Sequence, residues 1–334
     1  MTAIDPGLPP TQVVAAIAMT HTPGLGDRMH VPPKGQIEKL LAGFAEAKSI
    51  LSEARPELVV AFVNDHFDMY SLENMPTFSI SVADEHFGPP EDAQAWLGMT
   101  RRSHRGNADY AMHLYRSAVV DGFDMTRSGS ATFVHNILMP AKYILPDVDV
   151  PIVPIFVNCF APPLPSFRRC YDLGRSIGRA IARRPERVAL LASGGLSHWP
   201  PFAKEDGPRD DELNRRMLRI QRHGAVARRE DPKVRDLIHE REAEMAASGR
   251  ELINVAWDRA LIDALARGDQ EYFCRMNYDE VERDGGNGGH EMSMWLMILG
   301  ALGNRPSRTL VYEPVKEWMG GVGVVAWDSS TRKG

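Results

Sequence analysis

The sequence predicts an α/β fold, a single layered domain with a central mixed sheet flanked by helices. Short runs of β-branched and aliphatic residues, typical of strands buried on both faces, recur along the chain. Between them lie longer segments whose apolar residues recur at helical spacing. This alternation of strands and helices is the pattern of layered α/β domains. Because the sequence shows no internal repeat and no Ser/Gly linker, we expect residues 1–334 to form one domain.

Five apolar runs are predicted strands, and each is followed by a loop that carries His, Asn or Gly. Helical spacing predicts helices in five further segments, and Pro56 ends the first of them. An extended segment, 309–313, and a Gly-rich segment, 319–325, close the pattern. The predicted strands are residues 13–19, 58–63, 78–82, 152–156 and 188–192, and the predicted helices are residues 35–54, 107–121, 173–183, 254–267 and 291–302.

Residues 209–250 differ from the rest of the chain because Arg, Lys, Asp and Glu dominate and β-branched residues are few. We predict a helical charged insertion here. Its helices are either solvated and linked by ion pairs, or they form a lid or a subunit interface. The mixture of both signs argues against a phosphate-binding stripe.

The overall composition excludes several classes of protein. Lys and Arg number 39 against 44 Asp and Glu, a net charge of -5, which argues against a protein that coats nucleic acid or a membrane surface. The three cysteines form no disulfide framework and fit a reducing compartment. Apolar runs fall far short of the roughly 20 residues that a membrane helix needs. With no targeting segment visible, we expect a cytoplasmic protein.

Three of the 11 histidines follow predicted strands. His21 follows the first strand, His66 follows the second, and His198 follows the strand at 188–192. In α/β sheets, ligands bind beyond the carboxyl ends of the strands, so these imidazoles are candidates for one site. Neutral imidazole is a common metal ligand and usually has a hydrogen-bonding partner that orients it.

Two residues before His66 are candidates for such a supporting role. Asp65 could accept a hydrogen bond from His66, or Asn64 could face the pocket as a donor. The alternative is an ordinary turn in which these polar side chains face solvent.

A fourth candidate site is the Gly-rich segment 284–289, which is followed by His290 and Glu291 at the start of a predicted helix. Glu291 is either an acid that favours the helix N-terminus or an anionic metal ligand. Met294 stands where a His-Glu-x-x-His metalloprotease motif requires its second histidine, so that motif is absent. Two histidines and one carboxylate form the ligand set of a non-haem Fe(II) site, and zinc accepts the same atoms. His198, at the end of a Gly-Gly loop, is better placed for acid–base chemistry.

With these four sites in this order, the sequence resembles the class III extradiol ring-cleavage dioxygenases, the superfamily of the protocatechuate 4,5-dioxygenase catalytic subunit. The resemblance extends from the Thr-His-Thr-Pro segment at His21 to the Glu-Pro-Val-Lys-Glu-Trp segment that ends at Trp318. Its most specific pieces are Asn64-Asp65-His66, residues 193–198, residues 254–258 with Trp257, and residues 288–291 with Trp295.

The resemblance implies an α/β fold that binds Fe(II) and uses O₂ to cleave a catechol ring beside its two hydroxyl groups. Position by position, it implies that His21, His66 and Glu291 bind the iron. It further implies that His198 is the acid–base histidine. His135 resembles the second catalytic, substrate-side histidine, although Val134 and Asn136 replace the usual Asp and Gly around it. Asn64 corresponds to a residue that contacts the substrate.

The same resemblance implies a catecholic aromatic acid as substrate, and we expect a lignin-derived one such as protocatechuate, a gallate derivative or a hydroxylated biphenyl. Candidate cations for the acid group are Arg101, Arg102, Arg105 and Lys142. The protocatechuate enzyme has a small helical partner subunit over its site, and no such partner is fused here. Segment 209–250 is a candidate cover, and we expect a homodimer.

Three other hypotheses about the function are consistent with the sequence. An aminophenol-cleaving dioxygenase is the nearest enzymatic alternative. A non-catalytic binding protein on the same fold and a zinc hydrolase with the same ligand triad are the others.

The histidines for which we expect surface positions are His30, His86, His104 and His113.

Overall fold

The computed structural model describes residues 12–146, 149–205 and 211–328. Within these residues a mixed sheet is covered by helices on both faces, which confirms the predicted fold class. The strands are β1 Val13–Met19, β2 Leu58–Asn64, β3 Phe78–Ser81, β4 Glu85–Gly88, β5 Arg102–Arg105, β6 Thr126–Ser128, β7 Ile152–Val157, β8 Val188–Ser193, β9 Arg308–Val315 and β10 Gly320–Trp327. The helices are α1 Lys34–Ala54, α2 Glu91–Leu97, α3 Ala108–Val120, α4 His135–Ile144, α5 Phe167–Ile181, α6 Glu212–His223, α7 Ala225–Glu230, α8 Val234–Ala247, α9 Val255–Arg267, α10 Gln270–Cys274, α11 Tyr278–Gly285 and α12 Met292–Ala301.

The central sheet, as far as the described residues show it, has the strand order β6-β3-β7-β2-β8-β1-β10-β9. Strands β7, β2, β8 and β1 are mutually parallel, whereas β10 and β9 form an antiparallel hairpin beside β1. Strands β4 and β5 form a separate two-stranded sheet. The carboxyl ends of β2, β8 and β1 therefore meet at one edge of the sheet.

Both faces of the sheet are buried, which explains why its strands appear as continuous apolar runs in the sequence. Along β1, Ala16 and Ala18 face one core with α5 and α12, whereas Ile17 and Met19 face the other core with α1 and α4. This alternation follows the period of two residues along a strand. Each predicted strand is present, with bounds that differ by one residue at most.

The predicted helices are also present, and three of them, α3, α5 and α9, begin after a residue whose side chain caps the first turn. The helix predicted at residues 173–183 begins earlier, at Phe167, because the Ser166 side chain accepts a hydrogen bond from the Arg169 amide. The helix predicted to begin at Glu291 is preceded by a 3₁₀ turn, Gly289–Glu291, and becomes α-helical at Met292. No described helix is long and apolar enough to cross a membrane.

Two expectations about histidines are wrong. His86 and His104 are buried, not at the surface, because β4 and β5 place them opposite each other and Phe133 packs against both rings. The charged insertion is helical as predicted and contains α6, α7 and α8, while its first two residues, 209 and 210, lie outside the described residues. The single domain over residues 1–334 stays a prediction, since both ends of the chain lie outside those residues as well.

Candidate metal centre and active site

Three histidines converge at the carboxyl edge of the parallel strands. His21 lies two residues beyond β1, His66 two residues beyond β2, and His135 is the first residue of α4. One ring nitrogen from each lies within 4.8 Å of the others, and all three side chains are buried. The ring centroids of His66 and His135 are 4.3 Å apart, and His21 lies 5.2 Å from His66. Thus the structure brings together three residues that are spread over more than 100 positions of the sequence.

Glu291 lies beside two of these histidines, His21 and His66, and beside His198. Its carboxylate oxygens are 3.5 Å from His21 Nε2, 3.3 Å from His66 Nε2 and 3.6 Å from His198 Nε2. Asn64 Nδ2 donates a hydrogen bond of 2.9 Å to Glu291 Oε1, and Asn136 Nδ2 holds the Asn64 backbone carbonyl at 2.6 Å. The residues predicted from the sequence to bind the metal therefore face one another across a space of a few ångströms.

The protonation states of the group suit metal binding. Burial alone would raise the pKa of Glu291, but the imidazoles of His21 and His198 bring it well below its ordinary value. Burial lowers the pKa of His66, and it lowers the pKa of His135 further, with the neighbouring His66 adding to the effect. A metal site needs an ionised carboxylate and neutral imidazoles, and these directions favour the ionised form of Glu291 and the neutral forms of His66 and His135.

The donor set fits a divalent cation. Only 1% of the Glu291 side chain is exposed, and within the described residues its ion-pair contacts are with histidines and not with Lys or Arg. A buried carboxylate without a permanent cation is costly, and a bound metal ion would remove that cost. His66 Nδ1 and His135 Nδ1 are also buried with no hydrogen-bond partner among the described residues. Fe(II) and zinc both accept two imidazoles with a carboxylate.

Ser193 orients His21, a role that the sequence did not reveal. Its hydroxyl lies 2.9 Å from His21 Nδ1, which leaves Nε2 facing Glu291. Ser193 is the last residue of β8 and pairs in register with Met19, near the end of β1. The signal in the sequence was a polar residue at the end of a predicted strand, next to the glycines.

Asp65 does not support His66. Its carboxylate accepts hydrogen bonds from the backbone amides of Met69 and Tyr70, and so it closes the turn after β2. Asn64, which is fully buried, is the residue of this pair that faces the site. Of the two supports considered from the sequence, the Asn64 interpretation agrees with the structure and the Asp65 interpretation does not.

His198 has one ring nitrogen fixed and the other directed at the site. Nδ1 donates a hydrogen bond of 2.8 Å to the Leu196 carbonyl, so Nε2 faces Glu291. Although burial would lower the pKa of His198, the Glu291 carboxylate raises it above its ordinary value. About a quarter of the side chain is exposed, and it lines the open side of the site.

The loop that carries His198 is stabilised by Asp258, the last residue of segment 254–258, through hydrogen bonds to Ser197. Asp258 is fully buried and accepts hydrogen bonds from the Ser197 amide at 2.7 Å and the Ser197 hydroxyl at 2.9 Å. A third hydrogen bond comes from the Tyr312 hydroxyl. Burial raises the pKa of Asp258 to about 6. The sequence did not reveal this network, whose members come from three separate parts of the chain.

Glycines on two loops make room for the His198 ring. A Cβ atom on Gly195 or on Gly288 would overlap the imidazole of His198. We therefore expect Gly195→Ala to displace that ring and to lower kcat about 100-fold, since small misplacements of a reacting group are that costly. Steady-state kinetics and a thermal unfolding curve would test this.

Gly35→Ala is the matched control, because a Cβ there meets no atom within 4 Å and the position lies in α1. It should leave kcat unchanged and stability equal or slightly higher. Wild-type kcat in Gly195→Ala would show that the glycine is not needed for the position of His198.

A cavity of about 410 Å³ opens above the histidines, a size that suits a small organic ligand. Helices α6, α7 and α8 line one side, so the charged insertion covers part of the site. Arg228 of α7 connects the insertion to the loop after β2, because it donates hydrogen bonds to Asp68 and to the His66 carbonyl, 2.7 Å away. Among the residues that the structure describes, Arg101, Arg102, Arg105 and Lys142 are not part of the lining. These four candidates for binding an acid group therefore do not line the cavity: Arg101, just before β5, lies over Phe87, and Lys142 of α4 lies over Tyr143.

Comparison with protein families decides the class of this chain. The family described as the catalytic LigB subunit of aromatic ring-opening dioxygenase matches residues 15–323. The chain belongs to this family. The resemblance seen in the sequence and the prediction of an extradiol ring-opening dioxygenase are thus confirmed, and the enzyme class excludes the non-catalytic binder and the hydrolase. Dioxygenases of the LigB family are metal-dependent.

Curated relatives of this LigB-family protein have a more specific name. The 2,3-dihydroxyphenylpropionate/2,3-dihydroxicinnamic acid 1,2-dioxygenase of Burkholderia vietnamiensis is 30% identical over 316 residues, which cover 89% of this chain and 94% of the relative. The enzyme of the same name from Paraburkholderia phymatum is 30% identical over 307 residues, with the same coverage.

Among solved structures, an uncharacterized protein of Escherichia coli K12 matches with a TM-score of 0.52 and 14% identity, covering 94% of this chain and 99% of that one. This match supports the fold alone.

Proposed function

We propose that this protein is an Fe(II)-dependent extradiol dioxygenase that cleaves a catechol with an acidic side chain. The observation that carries the proposal is the position of Glu291, whose buried carboxylate faces Nε2 of His21, His66 and His198 at 3.3–3.6 Å. In this proposal His21, His66 and Glu291 hold the metal. His135 also has a nitrogen near His21 and His66, but a carboxylate distinguishes the Fe(II) ligand set, and so we assign His135 to the substrate.

His198 would act as the base and then as the acid. Because its Nδ1–H is held by the Leu196 carbonyl, Nε2 carries the free lone pair and can take a proton from a catechol hydroxyl. The same nitrogen can return the proton when the ring opens, and both oxygen atoms of O₂ enter the product.

Other groups would position the ring. Asn64 and His135 lie beside the ligands and offer polar atoms to the substrate, since Asn64 Oδ1 and His135 Nδ1 are buried without partners in the described part of the chain. Phe160 and Phe202, whose rings lie 5.3 Å and 5.9 Å from that of His66, exclude water from this side. The bound metal would supply Lewis acidity toward the catechol oxygens and a position for O₂.

The names of the relatives favour a dihydroxyphenylpropionate over protocatechuate, gallate or a hydroxylated biphenyl as the substrate. We further propose a cytoplasmic homodimer of single-domain subunits, spanning residues 1–334, in which segment 209–250 acts as each subunit's own lid.

Metal reconstitution tests the proposal. Metal-free protein is loaded under nitrogen with Fe(II) or with zinc, and oxygen uptake is recorded with 3-(2,3-dihydroxyphenyl)propionate, protocatechuate, gallate and 2-aminophenol. We expect oxygen uptake and a yellow ring-opened product with the Fe(II) protein and the first substrate. Activity that requires zinc and no oxygen would contradict the proposal. A strong preference for 2-aminophenol would favour the aminophenol-cleaving alternative.

A further inference from the structure

Three arginines line the cavity in the part of the chain that the structure describes, and two of them are engaged by other residues. Arg28 is bound to the Glu242 carboxylate and to the Glu317 carbonyl. Arg228 is bound to Asp68 and to the His66 carbonyl. Their guanidinium groups hold the lid and the site together, so they have little capacity to bind a ligand.

The third arginine, Arg235 of α8, is held differently. Its guanidinium carbon lies over the Trp96 ring, 4.6 Å from the centroid. Within the described residues its ion-pair contact is with Asp27 at 3.5 Å, longer than a good charge-assisted hydrogen bond, and the carboxylates of Glu242 and Asp92 act on its charge from farther away. A guanidinium has five N–H donors in a planar fork that matches a carboxylate. The guanidinium of Arg235 is therefore oriented by Trp96 and has N–H groups with which it can bind a carboxylate in the cavity.

Trp96 connects this cation to the metal site. The Trp96 ring is 5.4 Å from His135, and His135 is 4.3 Å from His66. One aromatic ring thus separates Arg235 from the imidazoles around the catechol position. A carboxylate joined to the catechol by a short chain has a longer reach than one attached directly to the ring, so we expect the longer acid to be the one that can reach Arg235 across Trp96.

We propose that Arg235 binds the carboxylate of the substrate and selects catechols whose acid group is separated from the ring by a short chain. This inference rests on the proposed ring-cleaving function and adds the residue that sets its substrate class. Segment 209–250 then has a second role, because α8 both covers the cavity and carries the binding cation.

The test compares two substrates of similar shape, 3-(2,3-dihydroxyphenyl)propionate and the neutral 3-propylcatechol, in wild type, Arg235→Gln and Arg235→Lys. For Arg235→Gln we expect KM for the acid to rise about 10- to 100-fold, the effect of losing a hydrogen-bonded charge pair. KM for 3-propylcatechol should stay within about twofold of wild type, and that activity also shows that the variant is folded. Arg235→Lys should recover part of the loss, since it restores the charge without the fork.

A binding measurement removes dependence on turnover. Calorimetric titration of the acid into Fe(II)-loaded protein under nitrogen should give a Kd that rises in parallel with KM in Arg235→Gln. Asp27→Asn should tighten binding of the acid, and this gain should vanish when Arg235→Gln is also present. Arg219→Gln is the matched control, because Arg219 lies on α6 of the same segment, pairs with Glu230 and does not line the cavity.

The outcomes separate the two proposals. If the wild-type protein cleaves neither substrate, the proposed function fails. If it cleaves both, and Arg235→Gln changes KM for both substrates equally or for neither, the function stands and the role of Arg235 is overturned.

Discussion

Replacement of His198 by alanine is expected to lower kcat by about 10²- to 10⁴-fold, the range for a general acid–base group. Metal binding should persist, because the assigned ligands are His21, His66 and Glu291. Binding of substrate should persist too, since the cavity has other walls and the truncation only enlarges it. The physical reason for the loss is that Nε2 of His198 is the ring nitrogen free to exchange a proton, its Nδ1 being fixed by Leu196.

Three measurements check this result: iron content of the purified variant, Kd for 3-(2,3-dihydroxyphenyl)propionate under nitrogen, and single-turnover rates after oxygen is added. His30→Ala is the control, because His30 is exposed and does not line the cavity. Unchanged turnover in the His198 variant would contradict the acid–base assignment. Loss of iron instead of turnover would make His198 a ligand.

The strands could be predicted because each strand of a sheet buried on both faces appears in the sequence as a continuous apolar run. Runs such as the one in β8 are apolar on both sides, and polar residues begin where the strand leaves the cores. Strands β4, β5 and β6 were not predicted. They are only three or four residues long and partly exposed, so they carry no continuous apolar signal.

The site could be predicted in part, for the same reason. Because parallel strands end at one edge, a histidine just after each of three strands was enough to place His21, His66 and His198 together. The supporting residues could not be found in this way. Ser193 is 172 positions from His21, and Asp258 is 61 positions from Ser197, so only the folded chain shows that they touch.

The cation for an acid group shows the limit most clearly. Arginine is common at surfaces, and nothing in a local pattern separates a surface arginine from one that lines a cavity. The candidates from the sequence were Arg101, Arg102, Arg105 and Lys142. The arginines that line the cavity in the described residues are Arg28, Arg228 and Arg235, two of them from the charged insertion. Charges of both signs fitted a solvated helix as well as a lid, because α8 exposes one side and covers the site with the other.

Replacement of Glu291 by glutamine is expected to abolish tight Fe(II) binding and, with it, ring cleavage. Glutamine keeps the shape of the side chain but removes the anionic ligand atom. At a concentration 100 times its Kd, a metal that binds only the folded state stabilises it by about 2.7 kcal/mol. Wild-type protein should therefore unfold at a higher temperature with Fe(II), and Glu291→Gln should not respond at the same concentration. Thermal unfolding under nitrogen, with and without Fe(II), measures this, and Glu251→Gln, at an exposed position, is the control.

The metal-free proteins separate a structural role of the carboxylate from a role in metal binding. Without metal, wild type keeps a carboxylate that is 1% exposed, with histidines but no Lys or Arg beside it in the described residues. Because the imidazoles of His21 and His198 hold the pKa of Glu291 well below its ordinary value, the ionised carboxylate stabilises the folded state at neutral pH, and Glu291→Gln loses this stabilisation. Metal-free Glu291→Gln should thus unfold at a somewhat lower temperature than metal-free wild type, and the difference between the two proteins should widen when Fe(II) is added. A difference that does not widen with Fe(II) would mean that Glu291 is an ordinary structural carboxylate and not a metal ligand.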